Sequence, residues 1–458
     1  MREKLITLAG WVGAAIEPDD EDILITGVQT DSRKVKKGDL FVAICGEKMN
    51  GHDFIAQAVE KGAAAVLVSQ DVQTNIPILR VDDTLRAYGA IAHGFRGKLD
   101  AKVIAVTGSV GKTTTKEMMA QILAAEYPTA KSEGNHNNHI GVPMSILEMP
   151  TDARYMVQEM GMNHFGELSY LTAIAQPDVA VITNIGTAHI EHLGSRKGIL
   201  KAKLEILEGL PKNGLCVWNG DEPLLWERRK DCPFRLITFG MKNSECDVFA
   251  EDVKPIDGGM SFRVRGKLQH FEAFIPLDGE HNVMNALAAI AVALSASVRP
   301  EKIQAALSVF RNTGMRQQIL SHEGVTIIAD CYNAGPESME ASLKTLGRYP
   351  TTGTRIAVLG DMLELGNRSA AEHYRVGRLA VPNADMLLAY GANADHMTAG
   401  AITGGMDVSK CKCFQSHQEL AELLAVLAKP GDVLLFKGSR GMRMEHALHL
   451  YQQLTQRG

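Results

Sequence analysis

A short apolar run, Val103–Val106, leads straight into Thr107-Gly108-Ser109-Val110-Gly111-Lys112-Thr113-Thr114, and a helical pattern follows from Lys112 to Ala125. Strand, glycine-containing loop and helix in that order open an α/β nucleotide-binding domain. Glycines there let backbone N–H groups curl around phosphate oxygens at a helix N-terminus, where the helix dipole favours an anion. Lys112 adds a positive charge for the β- and γ-phosphates, and the Thr113 hydroxyl is suited to ligate Mg²⁺. The general phosphate loop has a further glycine five residues before Gly111, where this chain has Val106. The segment is therefore the shorter variant G-x-x-G-K-T. It predicts a nucleoside triphosphate without choosing between a kinase, a GTPase, an ATPase motor and an ATP-driven ligase.

Other polar residues follow other apolar runs. Glu159 ends Tyr-Met-Val-Gln-Glu, and Asn184 and His189 come just after Val-Ala-Val-Ile-Thr. In an open parallel sheet, ligands lie beyond the carboxyl ends of the strands. A carboxylate and an imidazole at that edge, beside a phosphate loop, suit Mg²⁺ ligation. The segment Gly134–Pro143 is dense in amides, including Asn135, Asn137 and Asn138. Lys203 lies on the helical stretch Gly198–Leu207 together with Lys201, close to Lys197, and on its own reads as part of a solvated basic face.

The 458 residues suggest about three domains. Residues 1–98 alternate strand-like stretches (Asp39–Ile44, Ala64–Val68) with a helix over Asp53–Lys61, and the polar Gly94–Lys102 predicts a linker. Residues 99–315 carry the phosphate loop, strands at Tyr155–Gln158, Val179–Thr183, Leu215–Trp218 and Leu236–Phe239, further β-structure over 245–275, and an alanine-rich helix Asn282–Ala296. Residues 316–458 repeat strand and helix, which predicts a second parallel sheet covered on both faces. The fold class is thus α/β: a smaller N-terminal domain, a central phosphate-loop sheet and a C-terminal Rossmann-like sheet.

Composition narrows the function. With 48 basic against 53 acidic residues the net charge is −5, which argues against a chain held to nucleic acid by bulk charge. Aromatics are 5%, too few for base-stacking platforms. Mean hydropathy is −0.06 and no apolar run reaches membrane-spanning length, so no membrane insertion is expected. Arg2 and Lys4 ahead of Leu5–Ile16 have a passable signal-peptide shape, but an intracellular nucleotide chemistry favours a buried first helix and a cytoplasmic protein. The seven scattered cysteines read as reduced thiols.

Taken together, these segments resemble the Mur ligases, ATP-dependent amide-forming enzymes of peptidoglycan precursor synthesis. The resemblance rests on TDSR (30–33) and residues 38–63 in the first region. In the second it rests on TGSVGKTTTKE, GNHNNHIGVP, QEMGMNHFGEL, ITNIGTAHIEHLGS, KAKLEILEGL and GEHNVMNALAA, and in the third on DCYNAGPESMEASL, VLGDMLELG and KGSRGMRME. Within the family it is strongest to the branch that adds D-alanyl-D-alanine to UDP-N-acetylmuramoyl-tripeptide through an acyl phosphate. The Asp-Asn-Pro-Arg signature of the diaminopimelate-adding branch is absent. A sister ligase adding one amino acid and a folylpolyglutamate-synthase-like ligase are the alternatives.

The resemblance implies a monomer binding ATP and two Mg²⁺ ions. Gly108, Ser109, Gly111, Lys112, Thr113 and Thr114 would hold phosphates, with Thr113 and Glu159 on one Mg²⁺ and His189 on the second. Lys203 matches the family lysine that is carbamylated, which would make it an anion near the metal. His281, Asn282 and Asn285 would lie by the nucleotide, with Arg316 and Asp330 closing over it. Asp31, Ser32, Arg33, His52 and Phe54 would bind the uridine nucleotide, and Asn135, Asn137 and Asn138 the rest of that substrate. The family often has a second acidic residue where this chain has Ala329, and the family's Gly-Arg is here Met315-Arg316.

Overall fold

The computed structural model describes all residues except 47, 267–268, 313 and 457–458. Among the described residues a two-stranded antiparallel ribbon, Glu3–Lys4 with Leu24–Ile25, accompanies three larger sheets that follow one another along the chain. The first has four parallel strands in the order Gly27–Gln29, Asp39–Val42, Ala65–Val68 and Ile78–Arg80. Its central strands are buried throughout and, apart from Asp39, apolar, as expected of strands covered on both faces. The first helix, Leu5–Val12, buries Leu5, Leu8 and Ala9, as expected from its sequence. The helix expected at Asp53–Lys61 begins as a 3₁₀ turn, Gly51–Phe54, before Ile55–Glu60 becomes α-helical.

The expected linker at Gly94–Lys102 is not one. Helix Thr84–Arg96 runs through its first residues, and strand Lys102–Thr107 begins at its last. At the end of that helix Arg96 is buried and donates to the carbonyls of Ala175, Leu99 and Gln176. Gly94 serves close packing: a Cβ there would lie 2.3 Å from the Trp11 ring. The first two regions therefore share one continuous apolar core, which joins Leu5, Tyr88 and Phe95 to Val103, Leu171 and Ile206.

The central sheet has nine strands, in the order His270–Ile275, Gly259–Gly266, Val248–Ile256, Arg235–Gly240, Leu215–Asn219, Val179–Ile182, Lys102–Thr107, Tyr155–Glu159 and Thr129–Lys131. Seven are parallel, and the last two along the chain add as antiparallel hairpins. Helix Glu280–Ser295 packs its buried alanines against one face of this sheet, beside the phosphate-loop helix Lys112–Ala124.

The third sheet runs Gln318–His322, Val325–Asp330, Val433–Lys437, Arg355–Gly360, Met386–Tyr390 and Cys411–Phe414. It is not wholly parallel: its first strand, unpatterned in sequence and half exposed, pairs antiparallel at the edge. The other five are parallel, with helices on both faces. No helix among the described residues is long and apolar enough to cross a membrane.

Candidate active site

Strand register brings the chemistry to one edge. Thr107 pairs with Ile182 and Val106 with Glu159, so three strands end level with one another. The phosphate loop, Glu159 and the segment 183–189 therefore emerge side by side. The loop needs both its glycines. Gly108 has φ 154° and Gly111 φ 82°, and a Cβ would lie 1.9 Å from Thr183 Oγ1 at the first and 2.3 Å from Asn285 Oδ1 at the second. Ser109 and Val110 both donate their N–H groups to Asn184 Oδ1 at 3.0 Å, and Thr183 Oγ1 donates to the Val110 carbonyl. Lys112 Nζ donates back to the Gly108 carbonyl at 2.7 Å, and Thr114 is buried one residue beyond Thr113.

Glu159 is 2% exposed. One carboxylate oxygen accepts from Thr113 Oγ1 at 2.5 Å and the other from Asn137 Nδ2 at 2.8 Å. These are hard oxygen donors on rigid elements, the set Mg²⁺ prefers. Among the described residues no three His, Cys, Asp or Glu side chains converge as a complete metal cage. His189, in the left-handed region at φ 62°, begins the short helix Ile190–Leu193.

Lys203 is the outlier. It is 2% exposed, yet none of the side-chain hydrogen bonds of the described residues involves its amine. Burial, and then the neighbouring positive charge of Lys112, hold its pKa well below the ordinary lysine value. Lys201, by contrast, is exposed on the same helix, with its ammonium 5.5 Å from the Phe165 ring centre.

The third region closes this edge. Arg316 stacks on the Tyr332 ring at 3.7 Å, and its charge helps lower the pKa of Lys112, which burial lowers first. Asp330 is buried and accepts from Lys437 Nζ and Ser342 Oγ, each at 2.6 Å. On the helix facing them, Asn285 Oδ1 accepts from Thr115 Oγ1, and Asn282 Nδ2 donates to the Asp278 carbonyl and Gln317 Oε1. Burial lowers the pKa of His281, against the opposing charge of Asp330.

Comparison with known proteins agrees with this geometry. Family models match residues 24–127 (Mur ligase family, catalytic domain), 106–293 (Mur ligase middle domain) and 315–440 (Mur ligase, glutamate ligase domain). The UDP-N-acetylmuramoyl-tripeptide–D-alanyl-D-alanine ligase of Bacillus subtilis (strain 168) is 40% identical over 438 residues, 94% of each chain. The chain belongs to the Mur ligase family. Among solved structures, MurF from Acinetobacter baumannii superposes with a TM-score of 0.91 at 34% identity over 99% of both chains. MurF ligase from Thermotoga maritima, solved in complex with ADP, gives 0.84 at 29% identity, over 94% of this chain and 98% of that one.

Not every expected residue of this Mur ligase stands at that edge. Asp31, Ser32 and Arg33 lie in the first region, at the 3₁₀ turn Ser32–Lys34 that follows the strand Gly27–Gln29 and is capped by Asp31. Arg33 clamps Asp31 through Nε and Nη2, both at 2.9 Å, and that hydrogen bond holds the Asp31 carboxyl down to about 2. Ser32 Oγ donates to Gln57 Oε1. His52 has both ring nitrogens engaged, with Nδ1 against Asn50 Oδ1 and Nε2 accepting from Ser69 N–H, so it shapes its own loop. Phe54 is exposed. Asn135 is exposed, and Asn138 Oδ1 accepts from the Ile140 and Gly141 N–H groups at the start of helix Gly141–Leu147.

Two carboxylates of the third region carry no local signal in the sequence, although both lie in segments that carry the resemblance. Glu337 accepts from Thr187 Oγ1 at 2.9 and 3.1 Å and abuts Gly186, whose N–H donates to Ser109 Oγ. Glu364 Oε2 lies 2.5 Å from His189 Nδ1, and that hydrogen bond holds its carboxyl below the usual range.

Proposed function

We propose that this chain is the cytoplasmic, monomeric ligase that joins D-alanyl-D-alanine to UDP-N-acetylmuramoyl-tripeptide at the expense of ATP. One observation carries the reading: 40% identity to a ligase of that name across 94% of both chains. The division of labour follows chain order, with residues 1–98 for the UDP part, 99–315 for ATP and the chemistry, and 316–458 for the incoming amine.

Amide formation from a carboxylate in water is uphill, so the acid must be activated. The γ-phosphate of ATP passes to the terminal carboxylate of the tripeptide, giving an acyl phosphate and ADP. Lys112 leaves the Gly108 carbonyl to pair with the β- and γ-phosphates, and the loop N–H groups and the helix N-terminus hold the remaining oxygens. Arg316 adds a second cation beside Lys112 once the third domain is seated. The neutral amine of D-alanyl-D-alanine then attacks the acyl carbon, and the tetrahedral intermediate collapses to the amide and inorganic phosphate. The Glu337–Thr187 contact seats the third domain over the phosphate loop, which keeps water from the acyl phosphate.

Thr113 and Glu159 would hold one Mg²⁺, and His189 with a carbamylated Lys203 the second. When bound, these ions offset the charge repulsion between the anionic carboxylate and the triphosphate. Two facts support the carbamate. Burial with no acceptor among the described residues lowers the Lys203 pKa and so favours the neutral amine, and only the neutral amine adds to CO₂, releasing a proton. The product is an anion beside Lys112, where an ammonium is repelled.

The test is phosphate release over a panel of UDP-muramoyl peptides and amines. Turnover should need the tripeptide and D-alanyl-D-alanine together. Faster turnover of UDP-muramoyl dipeptide with a free amino acid would overturn the assignment.

A further inference from the structure

His189 and Glu364 belong to different regions of the chain, and their contact spans the seam between the central and third sheets. His189 Nδ1 and Glu364 Oε2 are 2.5 Å apart. Both residues hold left-handed backbone, at φ 62° and 63°, a conformation non-glycine residues keep only where surroundings impose it. The same two loops meet again next door: Gly366, at φ 54°, is so close to Glu191 that a Cβ would lie 3.2 Å from its Cγ. The rings of His164 and His192 lie nearby, tilted at 37° with centres 4.5 Å apart. The seam is therefore built by backbone as well as side chains.

A carboxylate accepts hydrogen bonds and does not donate them when ionised, so this contact places the imidazole proton on Nδ1. In the neutral imidazole Nε2 then keeps its lone pair. We infer that Glu364 is a positioning residue. Reaching across from the third domain, it fixes His189 in the tautomer and orientation that present Nε2 to Mg²⁺, so that metal binding and docking of the amine-carrying domain assist each other. Carboxylates on the far nitrogen of a metal-binding histidine commonly act this way, within one domain. Here the partner comes from another sheet, which couples the two events reciprocally: whatever seating the domain does for the metal, the metal does for seating. The inference rests on the reading of His189 as a metal ligand.

The experiment uses the full chain with Glu364→Ala, Glu364→Gln and His189→Ala. Glu364 is half exposed, so its variants should fold. Mn²⁺ binding in the presence of a non-hydrolysable ATP analogue is followed by electron paramagnetic resonance, and the His189 tautomer by ¹⁵N NMR on the metal-free protein. Glu364→Ala should weaken Mn²⁺ about 10–100-fold and shift His189 away from the Nδ1–H form. Glu364→Gln, whose amide oxygen still accepts from Nδ1, should stay within a few-fold of the wild type. Wild-type Mn²⁺ affinity in Glu364→Ala, while His189→Ala loses it, would overturn the role of Glu364 alone. Wild-type affinity in His189→Ala would overturn the metal-ligand reading beneath it.

Discussion

The Thr113 hydroxyl donates to the Glu159 carboxylate at 2.5 Å, joining the phosphate-loop helix to the neighbouring strand end. With Asn137 on its other oxygen, this buried carboxylate is held in one orientation before any ligand arrives. Glu159→Gln keeps the shape and removes the charge. It should lower kcat about a hundredfold or more, the scale of losing one preorganised electrostatic group. ATP binding measured in EDTA by calorimetry should be unchanged. A near-normal kcat at ordinary Mg²⁺ would remove Glu159 from the metal site.

In the proposed mechanism Lys112 is the charge aimed at the transferring phosphoryl group. Lys112→Ala should cost about a hundredfold or more in turnover. Binding of the UDP substrate, measured by calorimetry without ATP, should survive, because Lys112 is hydrogen-bonded within its own loop and to none of the described residues of 1–98.

Lys203 yields a stability prediction as well as a kinetic one. Its folded pKa lies well below that of the unfolded chain, so the unfolded state binds more protons between those two values. Stability from this group therefore rises with pH through that window, up to about 10.4. In CO₂-free buffer, Lys203→Met should remove the slope and raise stability at neutral pH. Denaturant titrations at pH 7 and pH 10 check this. Lys203→Ala should be nearly inactive and partly rescued by acetate or formate, while Lys197→Ala and Lys201→Ala should cost little.

The phosphate loop is legible in the sequence because its chemistry is contiguous: glycines, lysine and threonine act from adjacent positions. Lys203 is less so. Counting charges makes it one of a basic group, yet Ile199, Ala202, Lys203 and Ile206 share the i, i+3, i+4, i+7 face that is buried. That periodicity is the signal that separates it from Lys197 and Lys201. Gly94 misleads for the opposite reason, since a glycine that admits the Trp11 ring looks the same in sequence as one that loosens a linker. Glu337 and Glu364 meet partners 150 and 175 residues away across a seam, and no local pattern encodes how two sheets are placed. The antiparallel edge strand Gln318–His322 escapes because, exposed on alternate and adjacent positions, it carries no apolar period.

The Asp330–Lys437 pair joins two neighbouring strands of the third sheet and offers a test in which the pH dependence changes sign. Burial pushes the Asp330 carboxyl up, but the Lys437 ammonium and the hydrogen bonds from Lys437 and Ser342 outweigh it, and the net pKa is lowered. With a folded pKa below the unfolded one, the pair's contribution is full above about pH 4 and is lost as pH falls through the folded value. Lys437→Met strands the carboxylate. It should destabilise the domain at pH 7 by about 3–5 kcal/mol, the cost of leaving one partner of a buried pair uncompensated. Burial then dominates, so the folded pKa moves above the unfolded one. The deficit should shrink as pH falls from 7 toward 4, where the wild type instead begins to lose stability. The double variant Lys437→Met/Asp330→Asn, with no charge left to bury, should recover much of the loss at pH 7 and show neither slope. Thermal unfolding of the three proteins at pH 4, 5.5 and 7 measures all of this, and a Lys437→Met deficit that stays constant across the range would mean that Asp330 is not held ionised by its lysine.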